Sequence, residues 1–554
     1  GGTIDAETEV YFAPTSEYGM EVELEALWAQ AYVSTSGVGS YSVGVERNFY
    51  VITSSSSSSG ITAGSYPCTY TSIYPNGTTN GTTVATSVSV YRLATFVALA
   101  DTKIENIQLQ NATEASSSSN GFIKGKGYNL TIGRGVTPYN NGTYCANGVC
   151  AYRYDNGSSN SPCTTEQNYT IRVESGKYNY VAMVEYNSGT TQYFNAKVTT
   201  RGIIGSDYDR AKNDDEKLTI NTRLIGSKRF YNTSNLNQDN KTFNTVVKSG
   251  TIGNYYVGND LHANATVYNG TRETLIEGGV FNDYICGGLD NASVNVPSAP
   301  VVTIRVKGGT FKDRIYTAAI TYSGIGTRRV VITGGTSYGW IAGGANGTSS
   351  GDGILEGDAY VYFGGNAKCL YDTENDQTFN SAKGGNIFGA GCGIADKETA
   401  GRVDNSTVVV ADNAEVARDV YGGGNYGFVQ TGGTTNLYVL GGTVHGSVFG
   451  GSNQQQGQTV NITMKGGLIE GGIYGGSNVT GTINNNVTMH IDGGQVGTST
   501  TSANIHGGGY GSATIVSGNV DLTLGTAGAA SGVTVFGDVY GGSALGSVNG
   551  TSAT

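Results

Sequence analysis

The chain has 554 residues, 87 of them glycine and only 7 proline, with 14% charged residues and a formal net charge of -11. Gly-X-Y triplets are absent, which excludes collagen, and no cluster of Lys and Arg offers the basic stripe that nucleic acid requires. Thirty-seven tyrosines with abundant Val, Ile and Thr favour an all-β chain, and a surface of Ser, Thr, Asn and Tyr suits a secreted or cell-exterior protein. No apolar run approaches the ~18 residues of a spanning helix, so no transmembrane segment is expected.

Residues 1–100 read as a β-rich N-terminal cap or small domain. They hold a few helix-favouring residues around Trp28, then serines at 54–59 and an "NGTTNGTT" stretch. Residues 101–554 read as one glycine-rich repetitive unit, with weak copies of a strand phrase first visible in "YNLTIGRGV" and "NYTIRVESGKYNYVAMV". Within "YCANGVCAY", Cys145 and Cys150 are close enough in sequence for a small disulfide loop, with Cys163 as a competitor. The other reading is free thiols packed as small apolar groups. The one dense acidic stretch, "GSDYDRAKNDDEKL", sets Asp207, Asp209, Asp214 and Asp215 where their oxygens could hold Ca²⁺. Its spacing departs from the EF-hand loop, so a solvated loop between coils is the simpler reading. No other cofactor is suggested.

Further along, an aliphatic residue, a marker and glycines recur. The markers are Cys286, Tyr316, Ala342, Phe388, Tyr421, Phe449, Tyr474, His506 and Tyr540, spaced 25 to 34 residues apart except for one step of 46 between Ala342 and Phe388. That step contains the insertion around "YDTENDQTFNSAKGG". The residue before each marker is always Ile or Val: Ile285, Ile315, Ile341, Ile387, Val420, Val448, Ile473, Ile505 and Val539. Each unit also carries an alternating strand such as "TVNITMKGG", with Val460, Ile462 and Met464 on one face. Like residues at like positions, without hairpin turns or helical periods, predict a parallel β-solenoid (a β-helix, expected to be right-handed) with one unit per coil.

In this architecture the aliphatic row stacks inside, roughly 4.8 Å per coil, and the marker faces outward. The glycines are expected to allow tight corners, with an outward ring covering the bare backbone. Asn425, Asn453 and Asn478, just past the corner, are placed to form an amide ladder. The sequence stops inside a repeat, so the solenoid is expected to continue beyond it.

Catalytic signals are sparse. The four histidines, His262, His445, His490 and His506, are dispersed, and neither a G-x-S-x-G elbow nor a phosphate loop occurs. The best candidate for recognition is the marker row Tyr316, Phe388, Tyr421, Phe449, Tyr474, His506 and Tyr540, expected to be exposed and able to contact a glycan or a protein. Alternatively these rings stack on one another and shield the glycines. Trp340, beside Ile341, could join that surface or lie at a corner.

The phrases "GWIAGGANGT", "GGNIFGAGCGI", "DVYGGGNYG" and "DVYGGSALGSVNGT" resemble the large glycine-rich repeat surface and secreted proteins of gut-type Bacteroidota. That resemblance implies an adhesin-like β-solenoid on the cell exterior and brings no catalytic residues. The reading from sequence is therefore a non-catalytic extracellular solenoid that contacts glycans or host or cell-surface proteins. Its rivals are a polysaccharide lyase or glycoside hydrolase on the same scaffold, which would need two facing carboxylates, and a passenger segment of a larger secreted protein.

Overall fold

The computed structural model describes residues 49–53 and, with gaps, 93–549, unbroken from 400 to 526. Its described part is all β, and the strands stack as a parallel β-solenoid. Thirteen successive parallel pairings join fourteen strands, from Thr102–Ile104 to Val520–Leu524, into a first ladder. A second ladder of two-residue strands runs from Thr251–Ile252 through Thr310–Phe311 and Thr443–Val444. The third ladder holds the repeated aliphatic-marker pair, and its register is the one the repeats predict. Ile285 pairs with Ile315, then Ile341, Ile387, Val420, Val448, Ile473, Ile505 and Val539 in turn.

Composition explains each side. In Thr434–Val439 the residues Thr435, Leu437 and Val439 are buried while Thr434, Asn436 and Tyr438 are partly exposed, the period-2 alternation of a half-buried strand. Stacking carries the alternation along the axis, so Ile304, Val330, Val361, Val408, Leu437, Ile462 and Met489 form one continuous inner row. Val539, in the last described coil, is exposed, whereas this row and the third-ladder aliphatics from Ile285 to Ile505 share a single core cluster. Each such side chain contributes about 1.5–3 kcal/mol by leaving water.

Three details depart from the expectation. A fourth short side appears in the C-terminal half, where Thr480–Ile483 pairs with Ala513–Val516 and then Ser547–Val548, turning Ile483 and Val516 into the same core. Stacking also reaches back before residue 101. Leu93–Ala98 pairs in parallel with Phe122–Lys124, and antiparallel with Phe49–Thr53. The rest of the expected cap lies outside the described residues.

The third departure concerns the glycines. Positive φ occurs at the turn after the first ladder, for example +108° at Gly309, whereas the glycines that follow the markers have ordinary angles. Their need is for space. A Cβ on Gly475 would lie 2.1 Å from the Gly507 carbonyl oxygen and 2.5 Å from Val487 Cγ1 of the neighbouring coil.

Candidate binding groove

The marker row turns away from the inner core, as alternation requires, yet it is not an exposed surface. Tyr316, Phe388, Tyr421, Phe449, Tyr474 and His506 are all buried, and only Tyr540 of the seven is exposed, at 44%. The cause is the coil spacing. Rings set one coil apart lie face to face, with centroids 5.1 Å apart for Phe388–Tyr421, 5.0 Å for Tyr421–Phe449 and Phe449–Tyr474, 5.3 Å for Tyr474–His506 and 4.7 Å for His506–Tyr540. Each ring covers its neighbours' faces, a favourable offset stack.

Polar groups close the ring edges. The Tyr421 hydroxyl donates to Asp419 Oδ2 at 3.0 Å and accepts from Asn478 Nδ2 at 3.0 Å. Asn425, Asn453 and Asn478 form the amide ladder, with Nδ2-to-Oδ1 distances of 2.8 and 3.0 Å. Where the marker is small, the residue two positions earlier fills the slot. Tyr284 stands in for Cys286 and Trp340 for Ala342, so the aromatic row continues through tilted Tyr284–Tyr316 and Tyr316–Trp340 contacts at 5.6 and 5.9 Å and an edge-to-face Trp340–Phe388 contact at 6.4 Å. The row is a second core, which removes it as a docking surface.

The proposed disulfide is also corrected. Cys145 and Cys150 are both buried, and the strand Ala146–Cys150 lies between them. Five extended residues separate them by roughly 16 Å, far beyond the ~7 Å limit for a bridge. Cys145 packs in the inner core and Cys150 in a separate cluster with Tyr180, Ala182 and Ile225. Burial pushes the Cys145 thiol up to about 12, against the lowering effect of Lys177. Asp207, Asp209, Asp214, Asp215 and Cys163 lie outside the described residues. Among the described residues no group of three or more His, Cys, Asp or Glu side chains could hold a metal ion, and no helix is long and apolar enough to cross a membrane.

A different feature emerges on the outer face of the first ladder. A groove of about 740 Å³ crosses five successive strands, from Arg305 to Asn436. At ~4.8 Å per strand this is roughly 19 Å long. Alternation puts the outward residues in columns: Thr303, Arg329, Tyr360, Thr407 and Asn436 in one, Arg305, Val331, Tyr362, Val409 and Tyr438 in the next.

Most of the groove's charged and polar ends are engaged. Glu273 holds the Arg305 guanidinium, Asn405 donates to Asp358 at 2.8 Å, and the Tyr362 hydroxyl donates to Asp412 at 2.9 Å. Arg329 is exposed and, among the described residues, has no hydrogen bond or ion pair. Tyr360 is its partner in the strand register, and there burial raises the hydroxyl pKa against the lowering effect of Arg329.

Another charged line follows the second ladder. Lys368 lies 2.7 Å from Glu415, and His445 sits between Glu415 at 3.4 Å and Glu470 at 2.9 Å. Partial burial alone would lower the His445 pKa, but Glu470 and Glu415 outweigh it and the pKa is raised. Burial lowers that of His506. The two therefore act oppositely. The His445 contribution is full below the unfolded value near 6.5 and is lost as pH rises through the folded value; the His506 contribution is lost as pH falls below 6.5 toward its folded value. In thermal melts at about pH 5 and pH 8, His445→Gln should lose stability mainly at pH 5, and His506→Tyr should gain more at pH 5 than at pH 8. A reversed order for either variant would contradict the electrostatics.

The fold defines the class, a parallel β-solenoid with an aromatic second core and a grooved outer face. No known protein family, curated protein or solved structure matches the chain.

Proposed function

We propose that the chain is a non-catalytic, extracellular, adhesin-like display element, and that its contact surface is the outer face of the first ladder. The observation that supports this most is the groove of rings, amides and guanidinium groups laid across five strands. Interstrand hydrogen bonds and a continuous aliphatic core make the scaffold a stiff rod, so the groove's groups are held at fixed spacing before any ligand arrives. Low charge content and a hydroxyl-rich and amide-rich composition suit an external location, and the sequence resemblance implies the same setting.

The test is retention of the purified chain on immobilised glycans, mucin and cell-surface protein extracts, with polymer length followed in parallel. Retention without depolymerisation is expected. Shortening of a polysaccharide would replace this reading with the carbohydrate-active enzyme, and absence of retention on every surface would remove the display role.

A further inference from the structure

Resting on that display reading, we infer that the groove binds an acidic oligosaccharide, with a ring carboxylate on Arg329 and neighbouring sugar rings along the columns through Tyr360, Asn405 and Asn436. Three observations carry it. The first is the state of the charges. Glu273 already neutralises Arg305, and Asp358 is bound by Asn405, while Arg329 is exposed and uncommitted among the described residues. A guanidinium presents a planar fork of donors that fits one carboxylate in a bidentate pair.

The second is the chemistry beside it. Thr327 and Thr407 give hydroxyls able to donate and accept. Beside them Asn405 and Asn436 are held in place by hydrogen bonds to Asp358, Thr434 and Asn461, leaving an amide hydrogen and an oxygen lone pair of each for a ligand. A protein partner would call for an apolar anchor pocket at the centre of the contact. Here the apolar contribution comes from Tyr360, Tyr362 and Val331, flat or small surfaces suited to the apolar face of a sugar ring rather than to an inserted side chain.

The third is length. Parallel strands repeat the same lateral spacing across the groove, so an extended polymer meets a new set of donors and acceptors at each coil. A single sugar would use only part of the ~19 Å available.

The experiment is titration calorimetry of the whole chain with a hexameric oligogalacturonide and with neutral maltohexaose, for the unaltered protein and for Arg329→Ala, Arg329→Lys, Tyr360→Ala and His490→Ala. The acidic hexamer should bind more tightly than the neutral one, and its binding should weaken with salt. Arg329→Ala should weaken it by at least about tenfold. Arg329→Lys should fall between, and His490→Ala, two strands beyond the groove on the same face, should bind normally. Circular dichroism of each variant separates lost binding from lost fold. Equal binding of the two hexamers, no binding of the acidic hexamer, or indifference to Arg329→Ala overturns the acidic-sugar assignment. If the chain is nevertheless retained on immobilised glycans or proteins, the display reading survives that failure; if nothing retains it, both fall.

Discussion

Trp340→Ala is expected to destabilise the middle of the solenoid by about 3–5 kcal/mol, the range for removing a large buried ring. Trp340 is 1% exposed and bridges the stacks on either side, with Tyr316 at 5.9 Å and Phe388 at 6.4 Å. Its removal leaves a gap in the aromatic core that Ala342 cannot fill. Because coils contact chiefly their neighbours, the loss should be local, appearing as faster amide exchange around Ile315, Ile341 and Ile387 before the distant coils respond.

The same slot permits a sharper experiment. Ala342 is in register with Tyr316 on one side and Phe388 on the other, so a ring at position 342 would enter the stack directly. Ala342→Phe alone collides with Trp340 and should cost about 1–3 kcal/mol as overpacking. Combined with Trp340→Ala it should restore most of the lost stability. Two destabilising changes that rescue each other give a large favourable coupling in a double-mutant cycle. A double variant as unstable as the sum of the two would mean that Trp340 does not occupy the marker's slot.

This pairing also shows how far the sequence could be read. The inner row was legible residue by residue because Ile or Val precedes every marker, and only an inward position demands that in nine units. Alternation then sent the markers to the opposite side, correctly, but alternation does not say whether that side meets water. Coil spacing decides it: rings ~4.8 Å apart cover one another's faces, and Asp419 and Asn478 complete the enclosure at Tyr421. A signal for the continuous aromatic row was present, since the two non-aromatic markers, Cys286 and Ala342, are those with Tyr284 and Trp340 two residues earlier. The groove had no comparable signal. Arg305, Arg329, Tyr360, Asn405 and Asn436 belong to five different coils of unequal length, and only the strand register brings them to one place.

Gly450→Ala is expected to be strongly destabilising, at or above the upper end of the ~1–3 kcal/mol usual for overpacking. An added Cβ would meet Val460 Cγ1 at 2.4 Å and the Gly475 carbonyl oxygen at 2.5 Å. Neither can easily retreat. Val460 is fully buried in the inner core, and the Gly450 and Gly475 amides are held by carbonyls of successive coils, Tyr474 at 2.8 Å and His506 at 2.9 Å. Relief would require spreading two coils and lengthening the interstrand hydrogen bonds between them. Two other glycines isolate the cause. Gly541 follows the marker in the last described coil and has nothing within 4 Å of an added Cβ, so Gly541→Ala should stay within about 0.5 kcal/mol of the unaltered chain. Gly432 has equal room but a φ of +84°, so Gly432→Ala should cost about 1–2 kcal/mol through backbone conformation alone. Denaturant melts of the three variants should rank them Gly450, Gly432, Gly541 from most to least harmful. If Gly450→Ala proved as mild as Gly541→Ala, the coils would be further apart than the ladder places them, and the glycines after the markers would need another explanation.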